Sequence, residues 1–295
     1  MMKWTIRISL GLPLLLGGAL LVSVFLTGRR LAARYDVNVA TAPIPMDESS
    51  RTRGEHLGRA VAICTNCHGA DLGGQVQLDR ALIGRIASPN LTPGNGSAVR
   101  GYSAEDWFRA LRHGVRPDGT AIMLMPAGDF DGLSTEEVAM MVAWLQALPP
   151  VDREVAPSRH GPLMSLRYML GQMPGLIPAE SLDHGRTFAH RASERGTGER
   201  FATTCTGCHG PNLSGGPMLG APPGTPEPSN LTRHSTGLQQ WTERDFTRAL
   251  REHVSKDGRQ LHQFMPRAYA SMRDADVAAI WAYLATLPPK ARGER

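Results

Sequence analysis

The longest apolar run lies near the start of the chain. Residues 8–26 carry hardly a polar side chain, and about 19 residues in helix can cross a bilayer. Further on, the pattern changes to helical stripes. Val138, Met141, Val142 and Leu145 recur at i, i+3, i+4 and i+7, which predicts a helix with one apolar face. Ser134 followed by Glu137 is a capping box that opens it, and Pro149-Pro150 closes it. Val277, Ile280, Trp281 and Leu284 draw the same stripe, stopped by Pro288-Pro289. Amphipathic segments also run over 104–113 and 243–253, and over 54–63 and 199–204. Loops rich in Gly, Pro and Asn lie between them, and no run of alternating strands is visible. The predicted class is all-α.

These stripes belong to an internal duplication. Asn90-Leu91-Thr92 answers Asn230-Leu231-Thr232, and Asp118-Gly119 answers Asp257-Gly258. Met125-Pro126 answers Met265-Pro266, and the segment from Tyr102 to Arg112 answers that from Trp241 to Arg251. The order is kept, with an offset of 139–141 residues. The predicted organisation is an anchor over 1–34, a tether over 35–50, one unit over 51–152, a linker over 153–185 and a second unit over 186–295. Each unit is about 100 residues, a normal size for one compact domain.

Each unit contains the pentapeptide Cys-x-x-Cys-His, as Cys64–His68 and as Cys205–His209, and the two copies use every cysteine in the chain. This spacing attaches a c-type haem: the two thiols add to the porphyrin vinyl groups and the His binds the iron from one face. A four-sulfur zinc site gives no reason for a His after each pair. A thioredoxin-like motif requires a βαβ unit around it, and a disulfide across two intervening residues is strained. The cofactor expectation is therefore two covalently bound haem c groups, with Cys64, Cys67, Cys205 and Cys208 attaching them and His68 and His209 as proximal iron ligands.

The chain resembles the class I cytochrome c family, and more closely the multihaem membrane-bound cytochromes that serve periplasmic dehydrogenases. The resemblance rests on Arg53-Gly-Glu-His-Leu-Gly-Arg-Ala before Cys64, on Asn90-Leu-Thr-Pro93, on Gly114-Val-Arg-Pro-Asp-Gly119, and on Met-Pro followed by a final helix. It covers 51–152 and 186–295, and implies two tandem class I domains behind an N-terminal transmembrane helix. The family's distal ligand carries over onto Met125 and Met265. A His/Met pair closes the site for electron transfer and raises its potential. Met123 competes in the first unit, because residues two apart in an extended segment face the same way. The repeat favours Met125, whose partner is Met265, each followed by Pro. In the second unit His262 competes with Met265. The other histidines receive no ligand role; His56, His113, His184, His190 and His253 are expected at the surface. Trp107, Trp144, Phe246 and Tyr283 are expected in the core or against the haem.

Charge and compartment complete the reading. The net charge is +5 with a pI near 9.3, but 51–152 holds 9 Lys+Arg against 11 Asp+Glu, and 186–295 holds 15 against 10. That asymmetry gives the units different docking faces. No basic run with interleaved aromatics suggests nucleic acid. The apolar run lacks a small-x-small cleavage site at its end, which favours an uncleaved anchor over a signal peptide. Arg29, Arg30 and Arg34 after it would pull that side toward the cytoplasm. The resemblance implies attachment of haem outside the cytoplasmic membrane, so the haem units are placed in the periplasm of a bacterium, on a single-pass anchor in the inner membrane. In the linker, 163–177 is unusually apolar, and is expected to pack between the units or to lie on the membrane surface. The function expected is single-electron transfer between a donor (a dehydrogenase or respiratory complex) and an acceptor (a soluble cytochrome or oxidase), without chemistry of its own. The rivals are a dihaem peroxidase or thiosulfate oxidiser, and an obligate subunit of a larger complex.

Overall fold

The computed structural model describes residues 2–185, 196–218, 221 and 224–294. The expectation for His190 and the start of the second unit at 186 lie outside these residues. α1 (Met2–Leu31) contains the one window among the described residues that is long and apolar enough to cross a membrane, Leu14–Leu31, with mean hydropathy 1.5.

The first unit runs α2 (Glu48–His56), a π-helical turn at Leu57–Val61, α3 (Cys64–His68), β1 (Gln75–Arg80), β2 (Gly84–Ser88), α4 (Ala104–His113), a 3-10 turn at Ala127–Phe130, and α5 (Thr135–Gln146). Then come β3 (Arg159–His160), α6 (Pro162–Met169) and a 3-10 turn at Pro178–Ser181. The second unit has α7 (Thr197–His209), α8 (Glu243–Glu252), a 3-10 turn at Arg267–Ser271 and α9 (Asp274–Thr286). The helical periods held. Capping boxes close on Ser103/Asp106, Ser134/Glu137 and Thr242/Asp245, each satisfying backbone N–H groups at a helix start.

The chain is helix-rich but not wholly α. β1, β2 and β3 form an antiparallel sheet in that order, with a bulge between Val76 and Leu78. The alternation of Val76 and Leu78 was its signal, weakened because β1 faces solvent on both sides and Val76 stays exposed. β3 comes from the linker and pairs Gly84 with His160 and Arg85 with Arg159.

That pairing changes the expectation for the linker. The apolar segment does not pack between the units. Met164, Tyr168, Leu176 and Ile177 form a cluster with Val37, Val115 and Ala121, against the first unit and the end of α1. The Arg30 guanidinium donates to the Tyr168 hydroxyl, which donates to Glu180. The tether is likewise laid down: Val37 is buried, and the Tyr35 N–H donates to the Gly119 carbonyl at 2.9 Å.

In each unit the first and last helices cross through glycine. A Cβ on Gly54 would stand 1.9 Å from the Met140 carbonyl oxygen of α5. One on Gly198 would stand 1.9 Å from that of Ala279 on α9. Only a bare Cα allows these backbones so close. The two units share a continuous core, from Leu57, Trp107 and Met141 to Phe201, Tyr269 and Ile280.

The contact between units is pseudo-symmetric. The 3-10 turn after Met125-Pro126 packs on α7, and the one after Met265-Pro266 packs on the turn leading into Cys64. Ion pairs lock the seam. Glu137, already the capping residue of α5, receives Arg200 and faces Arg53 at 3.6 Å. Asp276, buried, bonds His56 Nε2 at 2.7 Å and Arg273 Nε at 3.0 Å.

Candidate functional site

The two pentapeptides have matching surroundings. Cys64 and Cys205 are half-buried and Cys67 and Cys208 exposed, and all four are free thiols. Burial pushes the Cys64 and Cys205 thiols up to about 12. A redox-active Cys-x-x-Cys needs the opposite shift, because the thiolate is the nucleophile. Among the described residues no three of Cys, His, Asp and Glu converge as a metal cluster, so the two cysteine pairs do not meet as a four-sulfur site.

The histidines are held alike. His68 Nδ1 lies 2.9 Å from the Pro89 carbonyl, and His209 Nδ1 lies 2.7 Å from that of Ser229. A carbonyl only accepts, so Nδ1 carries the proton in both and Nε2 keeps its lone pair. Burial lowers both pKa values, against the smaller opposing effect of these bonds, and favours the neutral ring. A neutral imidazole with Nδ1–H bound to a carbonyl is the form that ligates a metal through Nε2. The donor set therefore fits a c-type haem.

Each carbonyl is placed by the residue after it. Asn90 and Asn230 are fully buried. Each side-chain oxygen accepts from the N–H of Thr92 or Thr232 at 2.9 Å. Each side-chain amide donates 2.7 Å to the stretch after the last helix, at Val151 O or Lys290 O. Gly74, at φ +83°, passes behind this turn; a Cβ there would lie 2.6 Å from the Pro89 carbonyl carbon. The repeated Asn-Leu-Thr was visible in the sequence, but its link to the proximal His was not.

Met125 and Met265 are half-buried and pack against the main core, as Cys64 and Cys205 do. Met123 belongs to the separate cluster beside α1. The two methionines do not share a face, because Leu124 between them has φ +63° and its N–H donates to the Leu176 carbonyl. The segment is not extended, so the alternation rule does not apply. His262 is exposed, and its ring contacts Phe264 at 4.8 Å between centroids.

Arg112 is a residue the motif reading missed. It is 1% exposed, and its guanidinium donates to the carbonyls of Phe130 at 2.7 Å and Leu133 at 2.6 Å, so it clamps the loop that follows Met125. Burial lowers its pKa to about 10, which leaves it charged at neutral pH. Its repeat partner Arg251 donates to Ala270 O in the matching loop. An arginine at the same position of both repeats was the available signal.

Four surface expectations need correction. His113 and His253 are buried, because both helix ends turn inward. His184 is half-buried against His113, with their Nδ1 atoms 3.0 Å apart, and His56 is drawn into the seam by Asp276. Trp107, Trp144 and Phe246 are buried as expected, while Tyr283 is only half-buried.

Two family models match separate stretches of the chain. Residues 50–145 match the model described as cytochrome c oxidase, cbb3-type, subunit III, and residues 196–288 match cytochrome c. Among curated proteins, the fructose dehydrogenase cytochrome subunit of Gluconobacter japonicus is 28% identical, over 85% of this chain and 56% of its own length. The cytochrome c subunit of alcohol dehydrogenase (quinone) of Gluconobacter oxydans (strain 621H) is 29% identical, over 84% of this chain and 57% of its own. A diheme cytochrome c-type protein of Cereibacter sphaeroides is 27% identical, over 80% of this chain and 86% of its own. The chain thus spans little more than half the length of the dehydrogenase subunits it matches.

Proposed function

We propose that this chain, in both halves of which cytochrome c family domains are present, is a membrane-anchored dihaem cytochrome that passes single electrons in the periplasm. The domains proposed are 51–152 and 186–295, on the anchor of 1–34. The observation that carries the reading is the proximal site built twice: a pentapeptide helix whose His has Nδ1 tied to a backbone carbonyl. Cys64, Cys67, Cys205 and Cys208 would attach the porphyrins, His68 and His209 would ligate one face, and Met125 and Met265 the other. A bound haem supplies a one-electron couple, and the protein supplies binding, orientation and electrostatics.

The chain's own residues keep that geometry fixed. Asn90 and Asn230 hold the proximal carbonyls, and Arg112 and Arg251 hold the distal loops. The shared core and the Glu137 and Asp276 ion pairs fix one unit against the other. The relatives favour a dehydrogenase as electron donor, since several are cytochrome subunits of dehydrogenases. The acceptor proposed is a soluble cytochrome or an oxidase.

The test is kinetic. The reduced protein should pass electrons rapidly to a small soluble cytochrome, at a rate that falls with salt if the uneven charge guides docking. Turnover of hydrogen peroxide or thiosulfate should stay near the level of free haem. Saturable turnover of either substrate, abolished by a change beside one pentapeptide, would replace this reading with an enzymatic one.

A further inference from the structure

The exposed apolar surface outside α1 is concentrated in one corner. Among the described residues, seven large apolar side chains are exposed outside α1, and four of them are Leu82, Ile83, Leu163 and Leu170. Leu82 and Ile83 form the tip of the β1–β2 hairpin. Their carbonyls accept from the N–H groups of Leu163 at 2.9 Å and Gly161 at 2.7 Å, so the tip is bonded to the start of α6. Leu82, Ile83 and Leu163 are therefore one patch, which the outer face of α6 extends toward Leu170.

α6 is apolar on both sides. Met164, Ser165 and Tyr168 are buried on its inner face. Leu163, Leu166 and Leu170, at i, i+3 and i+7, line the opposite face, and Leu163 and Leu170 are 41% and 62% exposed. In a protein surrounded by water this outer stripe has no reason to be apolar.

Its place along α1 supplies the reason. α6 packs along α1, whose buried positions Ser23 and Thr27 lie one turn apart. The apolar run ends at Leu26, so Ser23 is about 4.5 Å inside it at 1.5 Å per residue. α6 thus overlaps the last turn of the apolar run instead of standing clear of it. Arginines rim the patch. Arg80, beside the hairpin tip, and Arg167, on α6, form no ion pair among the described residues, while Arg85 and Arg159 share Asp79. An apolar face at the end of an anchor, ringed by cations, matches the boundary between acyl chains and anionic head groups.

We propose that the β1–β2 tip and the outer face of α6 insert into the bilayer interface beside α1, as a second contact that sets the height and tilt of the first unit on an anionic phospholipid surface. This rests on the reading of α1 as a membrane anchor. It differs from a single-helix tether, because β3 and the Arg30–Tyr168–Glu180 chain join α1, the hairpin and α6 into one rigid foot.

The experiment uses the full chain in vesicles of phosphatidylethanolamine and phosphatidylglycerol. A photo-reactive benzoylphenylalanine replaces Leu82 or Leu170, with Leu21 on α1 as the positive position and Phe264 on the second unit as the aqueous one. All four residues are exposed, so folding is not at stake. After illumination, phospholipid adducts are measured by mass spectrometry. Positions 82 and 170 should give adducts comparable to position 21 and at least about tenfold above position 264. Adducts at 21 with 82 and 170 no higher than 264 would overturn the proposal and leave the anchor standing. A chain-to-chain adduct at 82 or 170 would overturn it in favour of a second copy. No lipid adduct at 21 would overturn the anchor reading, and the proposal with it.

Discussion

His68 and His209 take their orientation from carbonyls at Pro89 and Ser229, about twenty residues away. The pentapeptide was legible because its chemistry is local: two thiols and an imidazole within five residues. Asn90, which places the carbonyl that its His bonds, and Arg112, which clamps the loop after Met125, were legible only as repeats without a purpose, because both act through backbone groups that leave no mark in the sequence. On the distal side, Met125→Ala and Met265→Ala should each remove about half of the near-infrared sulfur-to-iron charge-transfer band of the oxidised protein. Met123→Ala and His262→Ala should leave it intact; a second-haem spectrum that responds to His262→Ala and not to Met265→Ala would reverse the assignment. Arg112→Met should act one step further out. It leaves two buried carbonyls without their donor, at a cost of about 1–3 kcal/mol each, and frees the loop behind Met125. The unfolding midpoint should drop, and half of the charge-transfer band should weaken while the other half persists. An undiminished band would remove Arg112 from the positioning of Met125.

The helices were legible because their stripes and caps repeat, and the β1–β2 hairpin was missed because an exposed strand shows no clear in-and-out alternation. Leu124 illustrates a different limit. Its left-handed backbone, fixed by Leu176 across the linker, separates Met123 from Met125 and is invisible to a rule that assumes an extended segment. The helix crossings offer a direct check on packing. Gly54→Ala and Gly198→Ala each force a methyl group into a carbonyl oxygen 1.9 Å away. Overpacking of this kind costs about 1–3 kcal/mol, and more where backbone must move. Each variant should lower the unfolding free energy by that amount, measured by the change in haem absorbance in guanidinium. A neutral effect of either would mean that the two helices are further apart than described.

As a whole molecule the chain is a duplication whose halves share one core. The duplication was plain in the sequence, but the seam was not, because its partners, such as His56 and Asp276, are 220 residues apart. The seam should be sensitive to acid. Burial alone would raise the Asp276 carboxyl, but His56, Arg273 and Arg53 outweigh it and hold it well below its ordinary 3.8. A carboxyl depressed in the folded state contributes stability that is complete above the unfolded value and is lost as pH falls through the folded one. Asp276→Asn should therefore destabilise the protein by about 3–5 kcal/mol at neutral pH, and by progressively less as the pH falls below about 4. Thermal melts across that range would show it, and parallel curves for the two proteins would refute it. Each half is proposed to carry its own covalent haem. Intact-mass measurement of the mature protein, with haem stain after acid-acetone extraction, tests it most directly. The unaltered protein should be heavier than its polypeptide by two haem masses, and Cys67→Ser by one, with the second-unit spectrum retained. A single haem in the unaltered protein, or bound zinc in place of haem, would contradict it.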